Sequence, residues 1–283
     1  MLLIYFLFKR LNSSPVEFQF TSAVNYHYLL LLVFLMPINW YIEWIKWNVI
    51  LQNDSIDFER KKHAFLSGIV SAIITPAYAG NFIGRMLYFP KSDRKQIVVN
   101  TLASNASQFI ISISLGILAL QFIYFNALEL STHAILCVAN LSLYLLYYYG
   151  DFILKYIPIK YIRHISQVIV DKKTRSQLML LSFMRYTVFV CQFAFALLIF
   201  DVPFSFSLLF WIMLMYCAIT LSPSLFMGKL IVRETVAVTV LSMIGIPVPI
   251  ILMAALSTWL INQILPAILA TLFVKKERQH VFV

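Results

Sequence analysis

From Ala64 to Phe89 the sequence reads AFLSGIVSAIITPAYAGNFIGRMLYF, a stretch apolar enough for a membrane yet broken in its middle. Pro76 removes a backbone donor and clashes with the preceding turn, while Gly80 and Gly84 let other backbone come close. Ser67, Ser71, Thr75, Asn81 and Arg85 place polar groups in the same stretch. Backbone groups freed at membrane depth are tolerated only where protein or a water-filled cavity satisfies them. The stretch therefore belongs inside a helical bundle. Two readings stand: a break that lines a site, or a Pro-kinked helix whose small residues serve close packing.

A second stretch repeats this punctuation. Thr75-Pro76 is followed by Gly80 and then Arg85; Ser222-Pro223 is followed by Gly228 and then Arg233. Interrupted apolar segments at corresponding places in two halves point to a transporter site built on internal repeats. Pro76, Gly80, Gly84, Pro223 and Gly228 are the expected hinge or break positions.

Composition excludes an ordinary soluble domain: the 283 residues are 61% hydrophobic and 12% charged, against about a quarter charged in soluble chains. The net charge of +10 does not indicate nucleic acid, because the basic residues cluster in short loops between apolar runs. That placement fits the positive-inside rule and anionic lipid heads. Cys137, Cys191 and Cys217 lie inside apolar runs and imply no disulfide framework.

Taken in order, MLLIYFLF is too short to span and is followed by its positive charge, which is wrong for a signal peptide. It reads as the tail of a span begun outside this sequence, or as an interfacial segment. Tyr28 to Leu51 is the first full span, and Trp40, Trp44 and Trp47 mark its water interface. Glu43 is either a functional ionisable group with a partner at depth or a headgroup-level acid. The broken stretch lies between two basic loops, 52–63 and 90–96. It therefore enters and leaves on one face as a re-entrant hairpin. Ile97 to Phe125 carries a polar stripe at 101, 104, 105, 108 and 112, read as the lining of a hydrophilic path.

Residues 126–131 hold no Lys or Arg and face outside, whereas 150–177 hold six and form a basic amphipathic linker on the inner leaflet. Arg185, inside the span Leu178 to Phe200, either snorkels to the interface or faces the bundle. Phe204 to Ser242 is the second broken unit and Ile250 to Val274 the last span. The expected fold is an all-α polytopic membrane protein of one transmembrane domain, 1–283. Within it an inverted repeat of span, broken re-entrant hairpin and span occupies 28–149 and 178–274.

The motifs NWYIEWIKW (39–47), TPAYAGNFIGR (75–85) and SPSLFMGKLIVRE (222–234), with the apolar run 245–272, resemble the transmembrane region of lysylphosphatidylglycerol synthases and the wider flippase-like family of integral membrane proteins. The resemblance implies re-entrant helices around a cavity and movement of a lipid between leaflets of the cell (plasma or inner) membrane. Arg85 and Glu234 match family positions; Asn81 stands where the family commonly has Glu, which argues against a cationic head group.

Enzyme chemistry finds little to work with. Asp54 and Asp57 sit in a loop rich in Lys and Arg, the five histidines are scattered, and there is no G-x-S-x-G, H-E-x-x-H or P-loop. No cofactor and no metal is expected. The expected partners are membrane lipids, with no nucleic acid, together with a protein that supplies or uses the lipid. An accessory or scaffold protein is the alternative, and a lipid-linked glycosyltransferase ranks below it. The expected substrate-binding residues are Arg85, Arg233, Glu234, Glu43, Asn81, Asn105, Gln108 and Asn262. Glu43 and Glu234 should avoid lipid and pair with Arg85, Arg185 or Arg233, with Glu234 drawing its arginine from another segment because adjacent helical residues diverge by about 100°. Arg85 and Arg233, equivalent in the two broken units, suit the phosphate of an anionic or zwitterionic lipid; alternatively each ties its hairpin to a neighbouring carboxylate.

Overall fold

The computed structural model describes residues 25–51, 56–75, 80–156, 171–222 and 228–277. The expectations for 1–24, for Pro76 and Pro223, and for most of the linker lie outside these residues. All regular structure described is helical: α1 (Tyr26–Leu51), α2 (Phe58–Ile74), α3 (Gly80–Met86), α4 (Arg94–Ile123), α5 (Leu130–Tyr156), α6 (Lys172–Leu198), α7 (Phe206–Leu221), α8 (Gly228–Leu241), α9 (Val248–Trp259) and α10 (Leu265–Glu277). Among the described residues five stretches are long and apolar enough to cross a membrane: α1, α4, Leu130–Gly150 of α5, α6, and Val248–Phe273, which joins α9 to α10.

Two interruptions are written locally. A 3-10 turn, Ser242–Ile244, ends at Gly245, whose φ of 79° lies in the left-handed region that favours glycine. Between α9 and α10 a π-turn, Leu260–Ile264, widens the backbone around buried Asn262.

The chain packs as two compact units, and the long helices pass from one to the other. The first comprises residues up to Asn39, Ser112–Leu136 and Tyr186–Asn262; the second comprises Trp40–Ile111, Cys137–Arg185 and the chain from Gln263. Lipid tails are as apolar as leucine, so close packing and interhelical hydrogen bonds, not the hydrophobic effect, hold such helices together. In the first unit Gly116 lies directly against Cys217, Ser112 Oγ and Thr220 Oγ1 are hydrogen-bonded at 2.7 Å, and Phe122 stacks on Phe210. In the second, Trp47, Ile50, Phe65, Ile69, Phe89 and Leu178 form the core.

That core revises the reading of the tryptophans. Trp47 is fully buried and donates from Nε1 to Lys61 O at 3.0 Å, while Trp40 and Trp44 meet Phe65 edge-on. They are packing residues, because α2 and the chain at Phe89 cover this end of α1.

Candidate functional site

The site begins with the buried face of α1. Leu32, Asn39, Glu43, Lys46 and Ile50 are all buried and recur at spacings of seven, four, three and four, the period of one helix face. Two of those positions carry charge, and a charge out of water needs a partner.

Glu43 has two. Its Oε1 accepts from Arg85 Nη2 at 2.9 Å and its Oε2 from Arg185 Nη1 at 2.8 Å. The expectation that Glu43 pairs inside the bundle holds. Arg185 does not snorkel, because the carboxylate captures it one helix away. Lys46 Nζ donates to Ser104 O at 3.2 Å. The group is nearly closed to its surroundings, with Lys46 1%, Arg85 2% and Glu43 4% exposed. Aromatic faces line the guanidiniums: Arg85 Cζ lies 4.7 Å from the Trp47 ring centroid, and Arg185 Cζ lies 5.9 Å from that of Trp40.

Arg85 reaches this position because α3 is pressed against α2. A Cβ at Gly84 would collide with Ser71 Oγ and Ser67 O, and one at Gly80 with the Ser71 carbonyl. A Cβ at Gly68 would meet Arg85 Cγ and Nε. Matching 68 with 85, 71 with 84 and 75 with 80 makes α2 and α3 an antiparallel hairpin. Its turn end is tied by hydroxyls. Gly80 N donates to Thr75 Oγ1 at 2.5 Å, and Ser71 Oγ lies 2.6 Å from Gly80 O. Here Gly80 and Gly84 act through close approach, and Asn81, half-buried, presents its backbone carbonyl to Gly68.

The polar stripe of α4 divides. Thr101, Ser104, Ser107 and Ser112 are buried, and three of their hydroxyls are spent on helix contacts: Thr101 on Ile97 O, Ser107 on Ser104 O and Ser182 Oγ, and Ser112 on Thr220 Oγ1. Asn105 is exposed, and Gln108 is half-buried with Oε1 lacking a hydrogen-bond partner among the described residues. The buried row is therefore glue between helices, not the lining of a path, because short hydroxyls reach backbone and neighbouring helices before anything else.

In the first unit Asn262 belongs to a buried amide group. Its Oδ1 accepts from Asn39 Nδ2 at 3.3 Å and from Gln192 Nε2 at 3.1 Å, and its Nδ2 donates to Gln192 Oε1 at 2.9 Å. Gln192 Nε2 also lies 3.3 Å from Leu32 O, beside the turn that Pro37 deprives of a donor. Arg233 Nη2 donates to Glu234 Oε1 at 2.6 Å and to Ala255 O at 2.8 Å. That corrects the expected pairing of Glu234 with another segment: an arginine side chain is long enough to swing its guanidinium back across the 100° between adjacent positions. Glu234 Oε2 and Arg233 Nε find no hydrogen-bond partner among the described residues.

Sequence reasoning thus found Glu43, Arg85 and Asn262 but passed over Lys46 and Gln192. Lys46 was legible, since it continues the face set by Asn39 and Glu43. Gln192 carried no local signal; only the fold brings it to Asn262. Among the described residues no group of His, Cys, Asp and Glu side chains is arranged to hold a metal.

A family model described as the lysylphosphatidylglycerol synthase TM region matches residues 1–270. No curated protein and no solved structure matches the chain.

Proposed function

Since the chain belongs to the lysylphosphatidylglycerol synthase transmembrane-region family, and is a multi-pass membrane protein with five helices among the described residues long and apolar enough to span, we propose that it is flippase-like and carries a lipid head group between the leaflets of the cell (plasma or inner) membrane. One observation carries the reading: Glu43, Arg85 and Lys46 are buried together inside a bundle of apolar helices, with Arg185 half-buried against Glu43. Ionisable groups in spanning segments are costly, about 2.5–3.5 kcal/mol each at the helix centre on insertion scales, and where they persist they mark substrate or ion pathways. A pair that only braced the fold could be replaced by apolar side chains of similar volume at little or no cost.

The hairpin α2–α3 supports the same reading. At 17 and 7 residues its arms reach about 25 and 10 Å at 1.5 Å per residue, short of a ~30 Å hydrocarbon core. We take it as re-entrant, and α7 with α8 as its inverted counterpart, so that a head group passes beside the hairpins while the acyl chains stay in lipid. Arg233, Glu234, Asn81, Asn105, Gln108 and Asn262 are then further polar contacts along the route, and an enzyme that makes or uses the lipid is the expected protein partner. The chain itself is proposed to catalyse no reaction.

Reconstituted proteoliposomes carrying a fluorescent phospholipid test this. The protein should accelerate leaflet exchange, and Arg85→Lys should slow it about tenfold at unchanged thermal stability, because lysine offers a point charge in place of a fork of donors. Exchange no faster than in protein-free liposomes would instead favour the accessory or scaffold reading.

A further inference from the structure

The acids Glu43 and Glu234 are held in different ways. Each oxygen of Glu43 accepts from a different guanidinium, so its charge is fixed from both sides. Glu234 has one oxygen answered: Oε1 accepts from Arg233 Nη2 at 2.6 Å, while Oε2 is buried with no hydrogen-bond partner among the described residues. A charged carboxylate out of water is costly unless it is both paired and hydrogen-bonded, and a neutral carboxyl short of one partner costs far less. Acids at membrane depth recur as proton relays, and Glu234 is the one of the two whose charge can be removed with the least loss.

Arg233 is placed to survive that removal. Its Nη2 also donates to Ala255 O at 2.8 Å, so a neutral Glu234 leaves the guanidinium held across to α9. Because the two residues are neighbours on α8, parting them moves side chains and no helix. Nor is the pair sealed: the Glu234 side chain is 13% exposed and that of Arg233 18%, against 5% for Glu43. A proton needs no wider opening.

Few other charges compete. The elements in contact with α8 are α7, the 3-10 turn and α9. The turn and α9 hold no ionisable residue. From α7 come Tyr216, which faces Arg233 and donates to Phe189 O at 3.3 Å, and Cys217, packed on Gly116. Among the described residues the charge that acts on Glu234 is that of Arg233.

We infer that Glu234 is a proton-binding site, and that its protonation releases Arg233 from the carboxylate while Ala255 O keeps the guanidinium in place. The consequence for transport rests on the lipid-handling reading above. With Glu234 neutral, Arg233 is a cation free to answer an anionic phosphate, so lipid movement runs with the proton.

Infrared difference spectra of the purified protein in nanodiscs, titrated from about pH 9 to about pH 4, read the proton directly. A carboxyl protonated away from water absorbs at higher frequency than an exposed one, so the unaltered protein should gain such a band on acidification and folded Glu234→Gln should lack it. Absence of the band from the unaltered protein would overturn the inference, and that observation needs no variant to fold. So would a band unchanged in Glu234→Gln. In proteoliposomes, exchange of fluorescent phosphatidylglycerol should rise at least about fivefold as the pH falls, the lower end of coupling between sites, with the midpoint of the band. Glu234→Gln should show the acid-side rate at every pH, because glutamine copies the neutral carboxyl. Exchange independent of pH beside a titrating band would overturn the release of Arg233. A titrating band with no lipid exchange at any pH would instead leave the proton site standing and remove the flippase reading.

Discussion

At Glu43 each carboxylate oxygen holds a different guanidinium, so loss of this one charge leaves two buried cations, Lys46 and Arg85, and the half-buried Arg185 facing one another. Glu43→Gln should therefore lower stability by about 3–5 kcal/mol, the usual cost of breaking a buried pair from one side. Glu234→Gln should cost less, about 1 kcal/mol, because Arg233 keeps its bond to Ala255 O. Chemical denaturation of the two variants in one detergent checks the order, and equal losses would contradict it. The acid in the first span was legible from sequence as a group too costly to leave alone. Its partners were less so. Arg185 stands 142 positions away in sequence, and no local pattern distinguishes an arginine that snorkels from one that a distant carboxylate captures. The tryptophans misled for a related reason: an aromatic belt and an aromatic core use the same residue type, and what buries Trp47 is a contact with the chain near Phe89.

The hairpin of α2 and α3 is where local sequence and tertiary packing agree best. Gly80 and Gly84 stood out as points of close approach, and each faces backbone or a hydroxyl of α2 at contact distance. Gly84→Val should force the helices apart against Ser71 and Ser67, at about 1–3 kcal/mol for an overpacked contact, and move Arg85 away from Glu43. Gly150 supplies the control: a Cβ there meets nothing within 4 Å, so Gly150→Ala should be neutral or stabilising by up to about 1 kcal/mol. Thermal unfolding in detergent should separate the two clearly. The π-turn at Leu260–Ile264 was not legible. Its sequence, LINQI, is a good helix, and the widening is fixed by the amide bonds of Asn262 to Gln192 and Asn39, both far away in the chain.

For the whole molecule, the prediction concerns orientation: six Lys and Arg in 150–177 against none in 126–131 should place the former inside. On a background with the exposed Cys137 replaced by Ser, an impermeant thiol reagent added to intact cells should label Asn126→Cys and spare Lys172→Cys; the reverse pattern would overturn the expected topology and with it the proposed inverted repeat. The seven residues of α3 also bear on how the protein is made. A helix so short does not hold together alone in water, where about 12–15 residues are marginal, and its length of about 10 Å is no substrate for an insertion machinery that reads ~20-residue apolar segments. α3 therefore cannot be delivered to the membrane as an independent element. It acquires its structure only when α2 is present to receive Gly80 and Gly84, and Arg85 meets Glu43 only when α1 is already in place. The charged group is consequently among the last features assembled, and a ribosome pausing between α1 and α3 would hold a chain whose acid still lacked both of its arginines.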